Sequence, residues 1–265
     1  MPTDRLRDTW ASGETAVNAW LTLEGAASAA AVAAAGFDSV TLDLQHGAAE
    51  PHDAARIFGA IEAAGAVPLA RVRWNDPAEL MRMLDVGARG IVCPMIGSRA
   101  EAEAFVSVCR YPPEGMRSYG PVHGAFGSGR EHVTRANEIL LTFAMIETAE
   151  GFVNLDEIAS TPGLDGLYVG PSDLSLGLGL DTFADLGDPR LLEALDAVVD
   201  AAKRHEIVAG VHAPSPERSA DMAERGFRFL TPAVDTSLIA EGASASIERT
   251  RTLLATTQGG PPDIR

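Results

Sequence analysis

Eight short apolar runs recur along this chain, and stretches with a helical period separate most of them. The runs lie at 16–23, 39–45, 67–73, 90–96, 140–147, 166–170, 207–213 and 227–234. Continuous apolar runs of this length suit strands buried on both faces, as in a parallel sheet. Strand and helix alternating in this way through 265 residues predict an α/β fold, a (β/α)8 barrel formed as one domain over 1–265. The competing architecture is an open, doubly wound sheet. No GxGxxG follows the first run, so the signature of a dinucleotide fold is missing.

The helical stretches carry their own punctuation. AASAAAVAAAG closes on Gly36 and EPHDAARIFGAIEAAG closes on Gly65, a residue suited to a C-terminal cap. Asp76-Pro77 and Asp188-Pro189 each pair an N-cap acid with a proline at the first helical position. Ser98 opens a further helix, and Leu191, Leu195, Val198 and Ala202 keep a helical spacing. Two segments fall outside the alternation. The stretch 111–137 is glycine-rich and too long for a plain connection, so it reads as a functional loop. The end, 256–265, reads as a frayed tail.

In a barrel of this kind, reactive groups gather where the strands end. Here the second run ends at Asp43 and His46, the third at Arg71 and Arg73, and the fifth at Glu147. The sixth leads into GPSDLS with Asp173, and the seventh ends at His212. Paired carboxylates suit a hard divalent cation that also takes water and substrate oxygens. An arginine stabilises a developing oxyanion, and a histidine moves protons. Each residue also has a plainer reading: an ion pair for the acids and Arg71, a turn residue for His46, a core aromatic for Trp20. Arg73 reads as structural, and His52, His123, His132 and His205 as surface or loop histidines. A contact between Asp43 and His46 requires the strand to break before His46, which Gly47 permits. No lysine closes any run, which disfavours Schiff-base chemistry.

Composition narrows the partners. A net charge of -16 argues against nucleic acid and anionic membrane surfaces, and it obliges any anionic substrate to find a local positive centre. Cys93 and Cys109 have no metal-binding spacing and read as reduced thiols in a cytoplasmic protein. MPTDRLRDTW lacks the apolar core of a signal peptide, and no stretch is apolar enough to span a membrane.

Taken together, LDLQHG, ARVRWNDPAELMRMLDVGARGIVCPMI, YPPEGMRSYG, AMIETAEGFVNLDEIASTPGLDGLYVGPSDLSLGLG and AGVHA resemble the HpcH/HpaI aldolases. The resemblance covers nearly the whole chain. It implies a barrel whose last helix is exchanged between subunits in a homo-oligomer, a hexamer built as a trimer of dimers. By resemblance, Glu147 and Asp173 ligate Mg²⁺, Mn²⁺ or Co²⁺. Arg71 polarises the keto oxygen of a 2-oxo acid, His46 relays protons and is oriented by Asp43, and the main chain at Gly170, Pro171 and Ser172 holds the substrate carboxylate. Trp20 and His212 are expected to line the site, and Asp85 is a candidate interface residue near a partner's His46. The implied reaction joins or cleaves 4-hydroxy-2-oxo acids through a metal-held enolate of pyruvate or hydroxypyruvate, with an aldehyde as second substrate. Gln45 and Met145 stand where many members have glutamate and glutamine, and they point to the hydroxy ketoacid aldolases. Other readings are an acyl-CoA lyase of the citramalyl- or malyl-CoA type, an oxaloacetate decarboxylase, and a non-catalytic barrel.

Overall fold

The computed structural model describes residues 2–122 and 129–258. Its strands are β1 (Ala16–Leu21), β2 (Ser39–Asp43), β3 (Val67–Arg71), β4 (Gly90–Cys93), β5 (Leu141–Ile146), β6 (Gly166–Val169), β7 (Val208–His212) and β8 (Phe229–Val234). All pair in parallel and in sequence order, and β1 closes on β8. The (β/α)8 barrel therefore holds. Each strand is shorter than its apolar run because the polar ends leave the ladder and turn into the mouth.

The helices are α1 (Pro2–Ala11), α2 (Ala26–Ala33), α3 (Ala54–Ala63), α4 (Pro77–Asp85), α5 (Arg99–Cys109), α6 (Gly129–Ile139), α7 (Ala149–Val153), α8 (Leu155–Ala159), α9 (Pro171–Gly177), α10 (Pro189–Arg204), α11 (Pro216–Arg225) and α12 (Asp235–Gln258). Asp76, Ser98 and Asp188 cap α4, α5 and α10 through side-chain bonds to main-chain N–H groups.

Strand alternation sorts the interior into layers. Leu141, Phe143 and Met145 of β5 face the barrel axis, while Ala144 and Ile146 join the shell under the helices. A polar layer lies above the aromatic floor. Asn18 donates to Thr231 Oγ1 and accepts from Ser39 and Thr41, and Tyr168 shares a 2.7 Å bond with Thr231. Gly210 makes room for this layer, since a Cβ there would lie 2.8 Å from the Tyr168 ring. His212, two residues on, stands one layer higher, among the inward residues at the mouth.

Three expectations change. Residues 129–139 of the supposed loop form α6, because its helix-forming stretch GREHVTRANEI outweighs the glycines before it. His132 is thereby buried against Tyr111 rather than exposed. Of the same stretch, 111–122 is fastened back onto α5, Met116 N–H donating to Ser107 O and Arg117 N–H to Arg110 O, while 123–128, with His123, lies outside the described residues. Helix α12 runs to Gln258, past the expected tail boundary at 256, and 259–265 lies outside the described residues. From Thr236 to Thr256 this helix is solvent-exposed, with Leu238, Ile239 and Ile247 among its exposed apolar residues. Among the described residues no helix is long and apolar enough to cross a membrane.

Candidate active site

The strand ends converge on a cavity of about 280 Å³. Trp20, Asp43, His46, Arg71, Gly170, Pro171, Ser172, Asp173 and His212 all line it, as do Thr22, Met145 and Val234. Trp20, Asp43, Arg71, Met145 and His212 sit at inward-facing positions of five strands, which is how a two-residue period becomes one cluster.

Arg71 and Asp43 form its rigid centre. Asp43 Oδ1 accepts from Arg71 Nε at 2.8 Å, and Oδ2 accepts from Nη2. Both side chains are nearly buried. Trp20 Nε1 donates to Asp43 Oδ2 at 3.1 Å, and the guanidinium carbon lies 5.0 Å from the centre of the Trp20 ring. Tyr168 stacks beneath Trp20 at 5.6 Å. Burial alone would raise the Asp43 carboxyl, but Arg71, Trp20 and the His46 N–H outweigh it and hold the group below its ordinary value. Asp43 stays an anion, so Arg71 keeps its orientation and leaves Nη1 without a hydrogen bond to the described protein.

Asp43 does not bind the imidazole of His46, as had been expected. Its Oδ1 accepts the main-chain N–H groups of Gln45 at 3.0 Å and His46 at 3.2 Å. The chain breaks from β2 as Gly47 allows, and the carboxylate caps the resulting turn while its other bonds go to Arg71 and Trp20. His46 is exposed at the mouth, and its ring makes no hydrogen bond to a described residue.

Asp173 lines the other wall, whereas Glu147 is not among the lining residues and lies buried beside Gly170. Glu147 is 3% exposed, and its Oε1 accepts the Met95 N–H at 2.8 Å. Met95 itself adopts a left-handed backbone, φ 59°, a strained conformation for a side chain with a Cβ. A Cβ on Gly170 would come within 2.9 Å of Glu147 Oε2, so glycine keeps this side of the carboxylate clear. Burial, with the charge of Asp173, pushes Glu147 up to about 7 against the Met95 bond and Arg71. Neither acid has an ion pair among the described residues. Two close carboxylates, one of them buried without a countercharge, fit a hard divalent cation. Among the described residues no three acids, histidines or cysteines converge on one point, so water and substrate oxygens would complete such a cation's shell.

His212 meets Trp20 edge-to-face at 5.4 Å. Burial, then the charge of Arg71, lowers its pKa to about 4, so the ring is neutral near pH 7. Asp85 is elsewhere: it accepts from the buried Arg117 at 2.8 Å and ties down the loop after α5. Arg73 pairs with Glu79 outside the cavity, His205 pairs with Asp156, and His52 is exposed beside Asp53. Lys203, the chain's single lysine, lies near the end of α10, away from these strand ends. No lysine can therefore form a Schiff base in this cavity.

The sequence profile of the HpcH/HpaI aldolase/citrate lyase family matches residues 17–242. The chain belongs to this family. It is similar to a hydroxypyruvate/pyruvate aldolase of Rhizorhabdus wittichii, 35% identical over 94% of this chain and 100% of that protein. A 2-dehydro-3,6-dideoxy-6-sulfogluconate aldolase of Pseudomonas putida is 34% identical over 85% of this chain and 88% of its own. A crystal structure of an HpcH/HpaI aldolase/citrate lyase family protein from Burkholderia cenocepacia superposes with a TM-score of 0.85, at 31% identity over 94% of this chain and 98% of that one. As an HpcH/HpaI aldolase the protein is a carbon–carbon lyase of class II, and the cavity at its strand ends is the place to look for its chemistry.

Sequence reasoning missed four supports of this site, one of them Tyr168, which lines the cavity beneath Trp20. Met95 holds Glu147 through a backbone conformation that no side-chain pattern signals. Thr22 follows β1 and reads as an ordinary turn residue. Val234 closes β8 in a run that looks merely apolar.

Proposed function

We propose that this HpcH/HpaI aldolase joins an aldehyde to pyruvate or hydroxypyruvate, and cleaves the resulting 4-hydroxy-2-oxo acids. The observation that carries this reading is an oriented guanidinium in the same small cavity as Asp173, with a second carboxylate, Glu147, buried beside the cavity's Gly170 and without an ion pair among the described residues. Glu147 and Asp173 would hold Mg²⁺, Mn²⁺ or Co²⁺, which supplies Lewis acidity towards the oxo acid's oxygens. Arg71, locked by Asp43 and Trp20, directs Nη1 at the keto oxygen and stabilises the charge that develops there. The main chain at Gly170, Pro171 and Ser172 receives the substrate carboxylate. His46 takes the C3 proton, and after the carbon–carbon bond forms it protonates the new alkoxide. Its exposure at the mouth supports this role, since an aldehyde would have to enter from that side.

His212 is the group for substrate choice. A neutral imidazole beside Trp20 offers one donor and one acceptor to a hydroxyl, as hydroxypyruvate or a polyhydroxy aldehyde provides. The cavity is small for an acyl-CoA, which weakens the lyase alternative; slow oxaloacetate decarboxylation follows from the same chemistry as a side activity. The exposed apolar length of α12 supports its exchange in a homo-oligomer, a hexamer of three dimers, with Asp85 near a partner's active site. The buried thiols Cys93 and Cys109 fit a reducing cytoplasm.

The test is a condensation screen of pyruvate and hydroxypyruvate against short aldehydes, with Mg²⁺, Mn²⁺ or Co²⁺. Hydroxypyruvate with a hydroxylated aldehyde is expected to give product. Turnover confined to acyl-CoA substrates would overturn the assignment.

A further inference from the structure

The turn that carries His46 is fastened from two directions. From the barrel axis, Asp43 Oδ1 accepts the N–H groups of Gln45 and His46. From the neighbouring strand end, the carbonyl oxygen of Thr22 accepts the Ala48 N–H at 2.7 Å. The turn is tight on both sides, since a Cβ on Gly47 would collide with the Asp43 carbonyl oxygen and lie 3.2 Å from that of Thr22. The position of Thr22 therefore sets one side of the His46 turn.

Thr22 is in turn held by a residue that the mechanism does not use. Asp235, at the junction of β8 and α12, is 1% exposed. Its Oδ1 accepts from Thr22 N at 3.0 Å and Thr22 Oγ1 at 2.8 Å, and its Oδ2 accepts from Leu23 N at 3.0 Å. The N–H of Thr236 adds a fourth bond at 2.8 Å. No cation pairs with this carboxylate among the described residues. A helix cap needs one or two acceptor contacts on its own helix. Three of these four bonds instead reach across to residues 22 and 23, the backbone that supports the turn. Both carboxylate oxygens are used as acceptors, so an isosteric amide would set an NH₂ against an N–H or hydroxyl.

We propose that Asp235 is a positioning residue for His46: it clamps the main chain of Thr22 and Leu23, and the Thr22 carbonyl passes that constraint to the turn at 46–48. The inference rests on His46 as the proton-transfer group. It places the first residue of α12 in control of the imidazole, so that the register of this helix and the geometry of the mouth are set by one side chain.

A double-mutant cycle of Asp235→Asn and His46→Ala tests it. Retro-aldol kcat and KM would be measured at saturating Mn²⁺, together with C3 proton exchange of pyruvate in D₂O. Asp235→Asn is expected to lower kcat and exchange about tenfold, the scale of a misplaced catalytic group, with KM for the oxo acid within about twofold. In the His46→Ala background the same change should alter the residual rate less than about twofold, because its route to the chemistry is gone. An equal loss in both backgrounds, or an unchanged kcat for Asp235→Asn, overturns the positioning role and leaves His46 as the base. His46→Ala at the wild-type exchange rate overturns the base assignment and this inference with it. Should Asp235→Asn fail to fold, Thr22→Val removes only the hydroxyl contact, and its smaller loss, about threefold, must likewise vanish with His46→Ala.

Discussion

The two ends of the barrel are built from the same kinds of residue and used in opposite ways. At the closed end, α1 plugs the interior: Leu6 is fully buried, and Trp10 packs edge-on against Phe143 and Phe229 at about 6 Å. Its indole N–H donates to a main-chain oxygen, that of Arg228. At the open end, the indole N–H of Trp20 donates to a carboxylate and its face carries a guanidinium. The arginines repeat the contrast. Arg110 and Arg7 both bond Asp165, which also accepts the Thr142 N–H, so at the closed end one acid is shared by two arginines. At the mouth Arg71 has one acid for its orientation, while Glu147 and Asp173 keep none for themselves. An aromatic column joins the ends: Phe143 stacks on Phe229, Phe229 meets Tyr168 edge-to-face, and Tyr168 stacks on Trp20. Ion-paired acids mark the end that stabilises the fold, and acids without an ion pair among the described residues mark the end where chemistry is expected.

Substitution at matched positions should separate the two roles. Arg71→Ala is expected to reduce kcat/KM of the folded enzyme by about 10²–10³, as loss of an oxyanion-stabilising group does, in addition to any stability lost by leaving the buried Asp43 unpaired. Arg110→Ala should instead cost about 1.5–3 kcal/mol of stability, measured by denaturant unfolding, and leave kcat/KM of the folded enzyme unchanged. Equal effects of the two on activity would erase the distinction.

A gentler pair follows. Trp20→Phe keeps an aromatic ring but loses the bond to Asp43, and should lower kcat about tenfold through a looser Arg71. Trp10→Phe loses a bond to a carbonyl and should cost about 1 kcal/mol of stability with kcat intact.

His212 sharpens the comparison by pH. Its folded pKa of about 4 lies below the ordinary 6.5, so between these values the unfolded chain binds more protons. Its contribution is fully present above pH 6.5 and is lost as pH falls towards 4. His212→Asn should flatten that part of the stability curve. His212→Phe should lower the ratio of kcat/KM for hydroxypyruvate to that for pyruvate, read with one fixed aldehyde. An unchanged ratio would return His212 to a packing role.

The smallest effect belongs to Lys203. Lys203→Arg should leave turnover unaltered, and borohydride added with the oxo acid should not inactivate the protein.

The strands and most helices were legible because their signals are local. Period-two alternation placed His212 on the axis beside Gly210, and Asp-Pro pairs marked the starts of α4 and α10. Helix α1 was not legible: MPTDRLRDTW is mostly polar, and its apolar contacts, Leu6 and Trp10, matter only within a cluster drawn from several strands, Ala16, Val67, Phe143 and Phe229 among them. At the site, residue identities could be read from the strand ends, but their wiring could not. Asp43 lies three positions from His46, so a direct contact looked natural. The partner it takes, Arg71, comes from the next strand, and the β2–β3 register that aligns Asp43 with Arg71 appears only when the sheet forms. Met95 and Asp235 escaped for the same reason, since the Met95 N–H bonds the distant Glu147 carboxylate and Asp235 bonds residues 22 and 23.

The central claim is that the mouth works by a divalent cation held between Glu147 and Asp173. Its most direct test is pyruvate release from a 4-hydroxy-2-oxo acid by protein stripped with a chelator, before and after Mn²⁺ is added, for wild type and Asp173→Asn. The account predicts that the stripped wild type is nearly inactive and recovers with Mn²⁺, while Asp173→Asn stays folded and does not recover. Full activity of the stripped wild type, or recovery of Asp173→Asn to the wild-type rate, would contradict it.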